Sequence, residues 1–576
     1  MAILETSATC TVKVDNNQIK HTVSGVQVEQ YIDDHHELKV RLKQVSKGTG
    51  GQDFDDPATY TSFLGKSISV NIKPTGGLVD QSRELEFIGV VTEVSLDHSI
   101  DGINTVLITG HSPTVTFDGA KHNAQYFDMT ASDIIGSLVR KYPITVGKIE
   151  STSAQYKYDT QYRETDYDYI QRLATAHDMF AYYNGKEFRV TKANSTDVDE
   201  LVWRETLGLF NMGLGTVSQE FTAKIYNYEQ KKTYSQDTKS LPLSSALSGL
   251  IKVSPEASKK IYKDSGYSTS PKLVEDAQSL DKILQTDRNS SLGNMINCHG
   301  QSNVPKVAVG HCVKIKGMDK LDGLYWVKAV EHVFEESGKY HNTFKCSPLD
   351  ISYPIRKPVG RKKIKTPSFS GLHVALVVDN NDPSNLARIK VKYPWADGDT
   401  KWVRLITAHA GSSRGWVSLP EIGDEVLIGY EFGNPDHPIA LGALYNKDSA
   451  PPSGIGGQKN DIKIFLTRGG NQIKLDDKDG NEEISITTKN GDNQVVLSAK
   501  KPEITVTSKG DITIKGDNIT IESQKDLTIK AGANLKATAS ADLNTEASAN
   551  MKSKAGAMLN IEGTTVTVKG NPIQLN

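Results

Sequence analysis

The stretch ITVTSKGD, ITIKGDN, ITIESQKD, LTIKAGAN, LKATASAD, LNTEASAN and MKSKAGAM, Ile504 to Met558, decides how this chain folds. Apolar residues return with a period close to eight in seven units, one of them a residue short, and two more degenerate units follow. The first and third positions carry the apolar side chains: Ile504 and Val506, Ile512 and Ile514, Ile519 and Ile521, Leu527 and Ile529. Later units keep a large apolar residue at the first position, as Leu535, Leu543, Met551 and Leu559. Alternation along a strand puts positions one and three on the same face. Asp or Asn ends most units (Asp511, Asn518, Asp526, Asn534, Asp542, Asn550), residues that tolerate left-handed backbone angles and bond to their own turn. Each unit is therefore a short strand plus a corner. The Ala-rich run from Ala531 to Ala557 invites a helical reading, since Ala has the best helix propensity. A period of 3.6 does not keep Asn or Asp in step at eight, and the strand reading stands.

Eight extended residues reach only about 26 Å at roughly 3.3 Å each, too short to encircle a core. Either one chain uses three units per turn, or three chains each supply one side of every turn. About nine units give a lone chain only about three turns, near the minimum for stacked repeats, with open edges at both ends. Fixing the backbone costs roughly 1 to 2 kcal/mol per residue, which a solitary strand cannot recover. Each inward aliphatic returns about 1.5 to 3 kcal/mol once partner chains exclude water. An intertwined homotrimeric β-helix is expected, its folding coupled to assembly. The inward third position shrinks to Ala537, Thr545 and Ser553 before Ile561 and Val568, which points to a narrower or hydrated middle section.

The whole chain, at 576 residues, exceeds a single hydrophobic core and implies about three to five domains. Hydrophobic residues at 37% and charged residues at 24% fit a folded protein. A net charge of -2 supplies no general attraction for nucleic acid or anionic lipid. The first residues show neither a signal-peptide pattern nor a membrane span. Four cysteines, Cys10, Cys298, Cys312 and Cys346, are too sparse to staple the chain and suit assembly in a reducing cytoplasm.

Upstream of the repeat, Gly371 to Asn446 reads as a small β-barrel, with strands around Val374 to Val378, Ala387 to Tyr393, Trp402 to Thr407 and Glu425 to Tyr430. Its residues ARIKVKYPW (Ala387 to Trp395), KWVRL (Lys401 to Leu405) and LPEIGDEVLIGYEFGNPDHPIALGALYN (Leu419 to Asn446) strongly resemble the OB-fold module of VgrG proteins of type VI secretion systems and of contractile-phage spikes. TRGGNQIKLDDKDGNEEISI (Thr467 to Ile486) is similar to the start of the VgrG needle.

The first 350 or so residues alternate as β-structure at Lys66 to Ile72, Leu85 to Leu96 and Thr105 to Gly110. Thr130 with Asp133 predicts a capped helix over Ala131 to Tyr142, stopped by Pro143. Thr165 with Asp168 caps a second, whose Ile170, Leu173, Ala174 and His177 share a face and make His177 a packing residue. QYRETDYDYIQRL (Gln161 to Leu173), followed by Tyr182 and Tyr183, resembles the hub signature of VgrG proteins; Tyr169 stands where Phe is usual and Asp178 where Gly is common. VPKVAVGHCVKIKG and GLYWVKAVEHVF (Val304 to Gly317, Gly323 to Phe334) are similar to the second hub barrel.

The expected fold is mainly β. It divides into a first hub barrel at 1–120, an α+β insertion at 121–195, a second barrel region at 196–355, a linker at 356–370, an OB-fold at 371–447, a linker at 448–470 and the trimeric needle at 471–576. The resemblance implies a homotrimeric spike beneath a hexameric Hcp-like inner tube. It further implies baseplate components, effector cargo, transient contact with a target membrane, and assembly in the bacterial cytoplasm before ejection. It also implies a PAAR-type cone seated on Asn571, Pro572, Ile573, Gln574, Leu575 and Asn576, with Ile573 and Leu575 inward.

Competing chemistries are weighed against this. Tyr393, Trp395, Trp402 and Trp416 could stack bases, but GDE and NPDHP turns and the lack of a basic stripe favour packing, so no nucleic acid is expected. The basic cluster Arg356, Lys357, Arg361, Lys362, Lys363 and Lys365 reads as a solvated linker. Cys298, His299, His311 and Cys312 carry zinc-type ligands, yet neighbours on a strand face opposite ways, and neither metal nor cofactor is expected. No H-E-x-x-H or P-loop pattern occurs. Lys447 to Asp461 leaves no room for a lysozyme domain, no effector domain is expected after the repeat, and no enzymatic activity is expected. The alternative is a phage tail-associated, β-helical glycan-degrading enzyme, which needs paired acidic groups in a cleft where the octads present Thr, Lys, Ser and Asn.

Overall fold

The computed structural model describes residues 4–43, 60–76, 79–98, 104–241, 249–268, 276–354, 371–456 and 458–574. The expected linker at 356–370, with its basic cluster, lies outside the described residues, as do Leu575 and Asn576. The chain forms two units, Met1–Pro451 and Pro452–Asn576.

In the first unit, eight strands close on themselves. Thr22–Tyr31 pairs with Glu37–Lys43, then come Asn104–His111, Leu85–His98, Ser67–Pro74, Thr6–Val14 and Lys339–Pro348, and Gly323–Glu335 returns to the start. Period-two alternation drives this: Val26, Val28, Leu38, Val40, Leu42, Ile68, Val70 and Ile72 are inward and buried. Gly323–Glu335 and Lys339–Pro348 are long enough to serve twice. The start of the former also pairs with Cys312–Lys316, and the latter also pairs with Ile296–Ser302. Val198–Val202 and Leu207–Leu214 flank this second sheet, and a bridge between Trp203 and Leu207 joins its edges. Trp326, Val327, Phe344, Phe210 and Leu201 fill the second core.

The two Thr-capped helices occur at Ala131–Val139 and Asp166–Thr175 and pack into the first core. Thr130 and Asp133 exchange both bonds of a capping box. A longer helix, Ala277–Leu292, lies on the strands Phe221–Asn227 and Lys232–Asp237 around Leu280, Leu284, Ala223 and Tyr234. It is tied to the barrels by Asp178, whose carboxylate accepts from Asn289 Nδ2 at 2.9 Å, and by Lys328, whose buried ammonium donates to Gly293 O at 3.2 Å. Asp178 has φ 57°, a left-handed angle that Gly adopts freely and Asp tolerates.

The OB-type barrel has strands in the order Lys390–Lys392, His373–Asp379, Glu425–Tyr430, Pro438–Leu444 and Arg404–Leu405. Paired backbone bonds between Ile389 and Val403, 3.0 and 2.7 Å, close it around Ala375, Val377, Val391, Val426 and Ile428.

The second unit begins with a five-stranded antiparallel meander: Ile462–Leu466, Gln472–Asp476, Glu483–Thr487, Asn493–Ser498 and Glu503–Ser508. Gly469-Gly470, Asp479-Gly480 and Asn490-Gly491 make three of the four turns, and Gly470, Gly480 and Gly491 take φ values of 87°, 71° and 72°. Among the described residues, none from Lys509 to Gln574 joins a strand.

Candidate functional site

The hub signature is a buried polar clasp. Strand Asp159–Thr165 runs beside Lys121–Tyr126 until a bulge between Tyr162 and Glu164, where Arg163 takes φ 50° and its N–H bonds Asn123 Oδ1 at 2.8 Å. Arg172 lies one helical stretch on and grips Glu164 with two bonds of 3.0 Å, donates to Thr160 O at 2.9 Å and lies 4.8 Å from the centre of the Tyr169 ring. Tyr169 donates to Asp159 at 2.9 Å, a bond that Phe at this position lacks. Burial holds the Glu164 carboxyl above its usual range, with Arg172 opposing. Gln161 and Tyr142 each donate to Asp166 at 2.8 Å, and Thr165 both caps the helix and donates to Asp118. Paired in this way, the charges fix one geometry of strand and helix.

The bulge turns Tyr162 the other way, toward the OB-type barrel. Its ring lies 5.3 Å from Trp395 and 5.1 Å from His373, and Trp395 stacks on Tyr393 at 4.7 Å and 7°. Two of the four candidate base-stacking aromatics are thus occupied by hub packing or core, Lys390 lies 5.1 Å from the Trp402 ring, and Trp416 is exposed. Arg388 completes the junction. It holds Asp382 by two bonds of 2.9 Å and reaches Glu229 at 3.0 Å, while Arg404 lies 4.4 Å from the Tyr228 ring. The Arg388 bonds, with backbone N–H groups from Ser384 and Leu386, hold the Asp382 carboxyl far below the usual range against the effect of burial. Sequence reasoning missed these residues. The signal was the Asp-Pro-Ser turn of Asp382 to Ser384, in which an Asp side chain bonds the backbone two residues on.

Cys298, His299, His311 and Cys312, the zinc-type residues weighed in the sequence, are spread across the second sheet. Cys298 lies opposite Cys346 and His299 opposite Lys345, Cys312 lies opposite Trp326, and His311 approaches Asp199 at 3.4 Å. Among the described residues no group of three or more His, Cys, Asp or Glu is placed to hold a metal. His177 bonds Tyr156 at 2.8 Å on a half-buried face.

In the second unit the meander carries two apolar rows on one face. Phe465, Ile473, Ile486, Val495 and Val506 stand opposite one another across the strands, as do Leu475, Ile484, Leu497 and Ile504. The other face is mainly polar, with Gln472, Thr487, Gln494 and Thr507 in one row. In the single chain this apolar face is open to solvent. The octad residues Ile504, Val506, Ile512, Ile514, Ile519, Ile521, Leu527, Ile529, Leu535, Leu543, Met551 and Leu559 are each 53–71% exposed. Asn571, Pro572 and Ile573 are exposed too, as is Gln574 among the described residues.

Comparison with known proteins places these parts. Residues 54–338 match the family described as phage tail baseplate hub (GPD), and residues 373–445 match the type VI secretion system/phage-baseplate injector OB domain. The type VI secretion system spike protein VgrG2a of Pseudomonas aeruginosa is 26% identical over 30% of this chain and 23% of its own length. The actin cross-linking toxin VgrG1 of Vibrio cholerae is 22% identical over 58% of this chain and 32% of its own. The chain thus spans about a quarter to a third of those relatives' length. A solved Francisella PdpA-VgrG complex, half-lidded, contains a chain similar in fold with TM-score 0.55 at 10% identity, covering 88% of this chain and 89% of that one. With the hub signature, the OB-type barrel and these matches together, the chain belongs to the VgrG family of spike proteins, related to phage baseplate hubs.

Proposed function

We propose that three copies of this chain form the central spike of a contractile injection system, with the hub beneath an Hcp-like inner tube and the repeat wound into a triple β-helix. The observation that carries this reading is the open apolar face: nine side chains in two cross-strand rows, continued by the octads, with no cover from the described residues of their own unit. An apolar area of this extent is uncommon on a monomer and calls for a partner. Three identical chains satisfy it by symmetry, since each meander and each octad then covers its counterparts. Ile504, Val506, Ile512, Ile514, Ile519, Ile521, Leu527, Ile529, Leu535, Leu543, Met551 and Leu559 become the trimer core, and 471–576 the needle.

Such a needle works mechanically. Three interwoven chains leave no free strand edge along its length, so a push from a contracting sheath is carried as compression rather than unravelling. Residues 571–576 would seat a PAAR-type cone, and baseplate proteins, effector cargo and a target membrane would be met in turn as the spike leaves the cell. Among the described residues no helix is long and apolar enough to cross a membrane. No catalytic chemistry is needed for this task.

Sedimentation equilibrium of the full chain tests the reading. A mass of three chains at micromolar concentration is expected, and a folded single chain with an ordered repeat would refute it.

A further inference from the structure

The octads carry a second pattern on the face opposite their apolar residues. Position four of each unit, outward by strand alternation, reads Thr507, Lys515, Glu522, Lys530, Thr538, Glu546, Lys554, Glu562 and Lys569. The seven charged residues alternate in sign without a break, and a neutral Thr538 stands between Lys530 and Glu546. Position two shows no such order: Thr505, Thr513, Thr520 and Thr528 are followed by Lys536, Asn544, Lys552 and Asn560. All of these residues are exposed in the single chain. Solubility requires charge but not alternation, and a solvated face gains nothing from strict order along the sequence.

Stacking supplies a reason. In a three-chain β-helix, one side of the needle receives a given octad from one chain and the next octad from another, so vertical neighbours differ by one in unit number and belong to different chains. Stacked strands lie about 4.8 Å apart, and side chains at equivalent positions meet directly. We propose that position four forms an interchain ladder of opposite charges, each Lys lying against the Glu of the adjacent unit in a second copy of this chain, and that this ladder sets the register of the three chains. A slip by one unit would place Lys515 against Lys530 or Glu546 against Glu562, like charges directly opposed. Over the first four units the apolar positions cannot prevent that slip, because Ile504 and Val506, Ile512 and Ile514, Ile519 and Ile521, and Leu527 and Ile529 offer nearly the same pattern to their neighbours. The ladder therefore supplies what the core lacks: a penalty for the wrong neighbour.

This inference rests on the trimeric reading, and one experiment separates the two. A chain with all seven signs inverted (Lys515→Glu, Glu522→Lys, Lys530→Glu, Glu546→Lys, Lys554→Glu, Glu562→Lys, Lys569→Glu) is coexpressed with the unaltered chain, each with a different affinity tag. Native mass spectrometry then counts trimer compositions. Each chain alone should form a trimer, while mixed trimers should fall at least tenfold below the three-quarters share of random assortment, and 1 M NaCl during refolding should restore mixing. Random mixing at low salt would overturn the ladder and leave the trimer standing. Failure of the unaltered chain to form trimers would overturn both. A chain carrying only Glu522→Lys, Glu546→Lys and Glu562→Lys makes the column uniformly positive; a trimer of unchanged thermal resistance at low salt would also count against the ladder.

Discussion

Arg388 shows how one side chain can settle the relation between two domains. Its fork closes the Asp382 turn of the OB-type barrel and its remaining nitrogen reaches Glu229 of the hub, so one buried cation serves both. Removing it strands the Asp382 carboxylate, and breaking such pairs costs about 3 kcal/mol. Arg388→Ala is expected to speed amide exchange at Ser384 and Leu386 by roughly 100-fold, the equivalent of about 3 kcal/mol, as read by exchange mass spectrometry. Arg388→Lys restores charge without the fork and should recover less than half of that protection. A second residue-scale expectation concerns acid. His36 and His332 are fully buried in the first barrel, and burial pushes both imidazoles down to about 3 from 6.5. A histidine lowered on folding contributes stability that is complete above its unfolded pKa and is lost as pH falls toward the folded one. Hub stability should therefore drop by about 1.4 kcal/mol per pH unit for each of the two between pH 6 and 4.5, with protons taken up on unfolding. Urea midpoints followed by the fluorescence of buried Trp326 measure this. A pH-independent midpoint over that window would contradict it.

Among the elements, the meander separates packing from sequence pattern. Ile484 lies in its apolar rows, whereas Thr505 lies on the opposite face. Ile484→Asp should lower trimer stability by about 3 kcal/mol per chain, by lost burial and a desolvated carboxylate, and shift the guanidinium midpoint of trimer dissociation downward. Thr505→Asp should leave it unchanged. If both act alike, the face assignment fails. The elements also show what the sequence made legible. The mainly β class, the OB-type barrel and both Thr-capped helices are readable, because turn chemistry and capping are local signals. The meander was not separated from the octads, since period-two alternation is common to both. Only the turns at Gly469-Gly470, Asp479-Gly480 and Asn490-Gly491 distinguish hairpins from corners. Helix Ala277–Leu292 went unread although Asp276 caps it and Leu280 and Leu284 line one face. The clasp of Glu164 and Arg172 was visible as a family signature without its chemistry, because the bulge at Arg163 that sends Tyr162 outward and Glu164 inward has no sequence marker.

For the whole molecule, the seat proposed for a cone at 571–576 is open to test. Deleting Gln574, Leu575 and Asn576 should abolish capture of a PAAR-type protein while the trimer keeps its mass, and retained capture in a pull-down would refute that seat. The shared strands carry a different consequence. The barrel that begins at Thr6 takes two of its eight staves from Gly323–Pro348, so its ends meet across more than three hundred residues. Long loops must be closed before any native contact between those ends can form. A fragment of residues 1–322 should stay protease-sensitive, and one of residues 1–354 should resist digestion; a resistant shorter fragment would contradict this. During synthesis, then, the hub cannot settle piece by piece behind the ribosome. It waits with its apolar strands unsheltered until the last two emerge, a long interval in which a chaperone or a neighbouring nascent copy has its opportunity to bind.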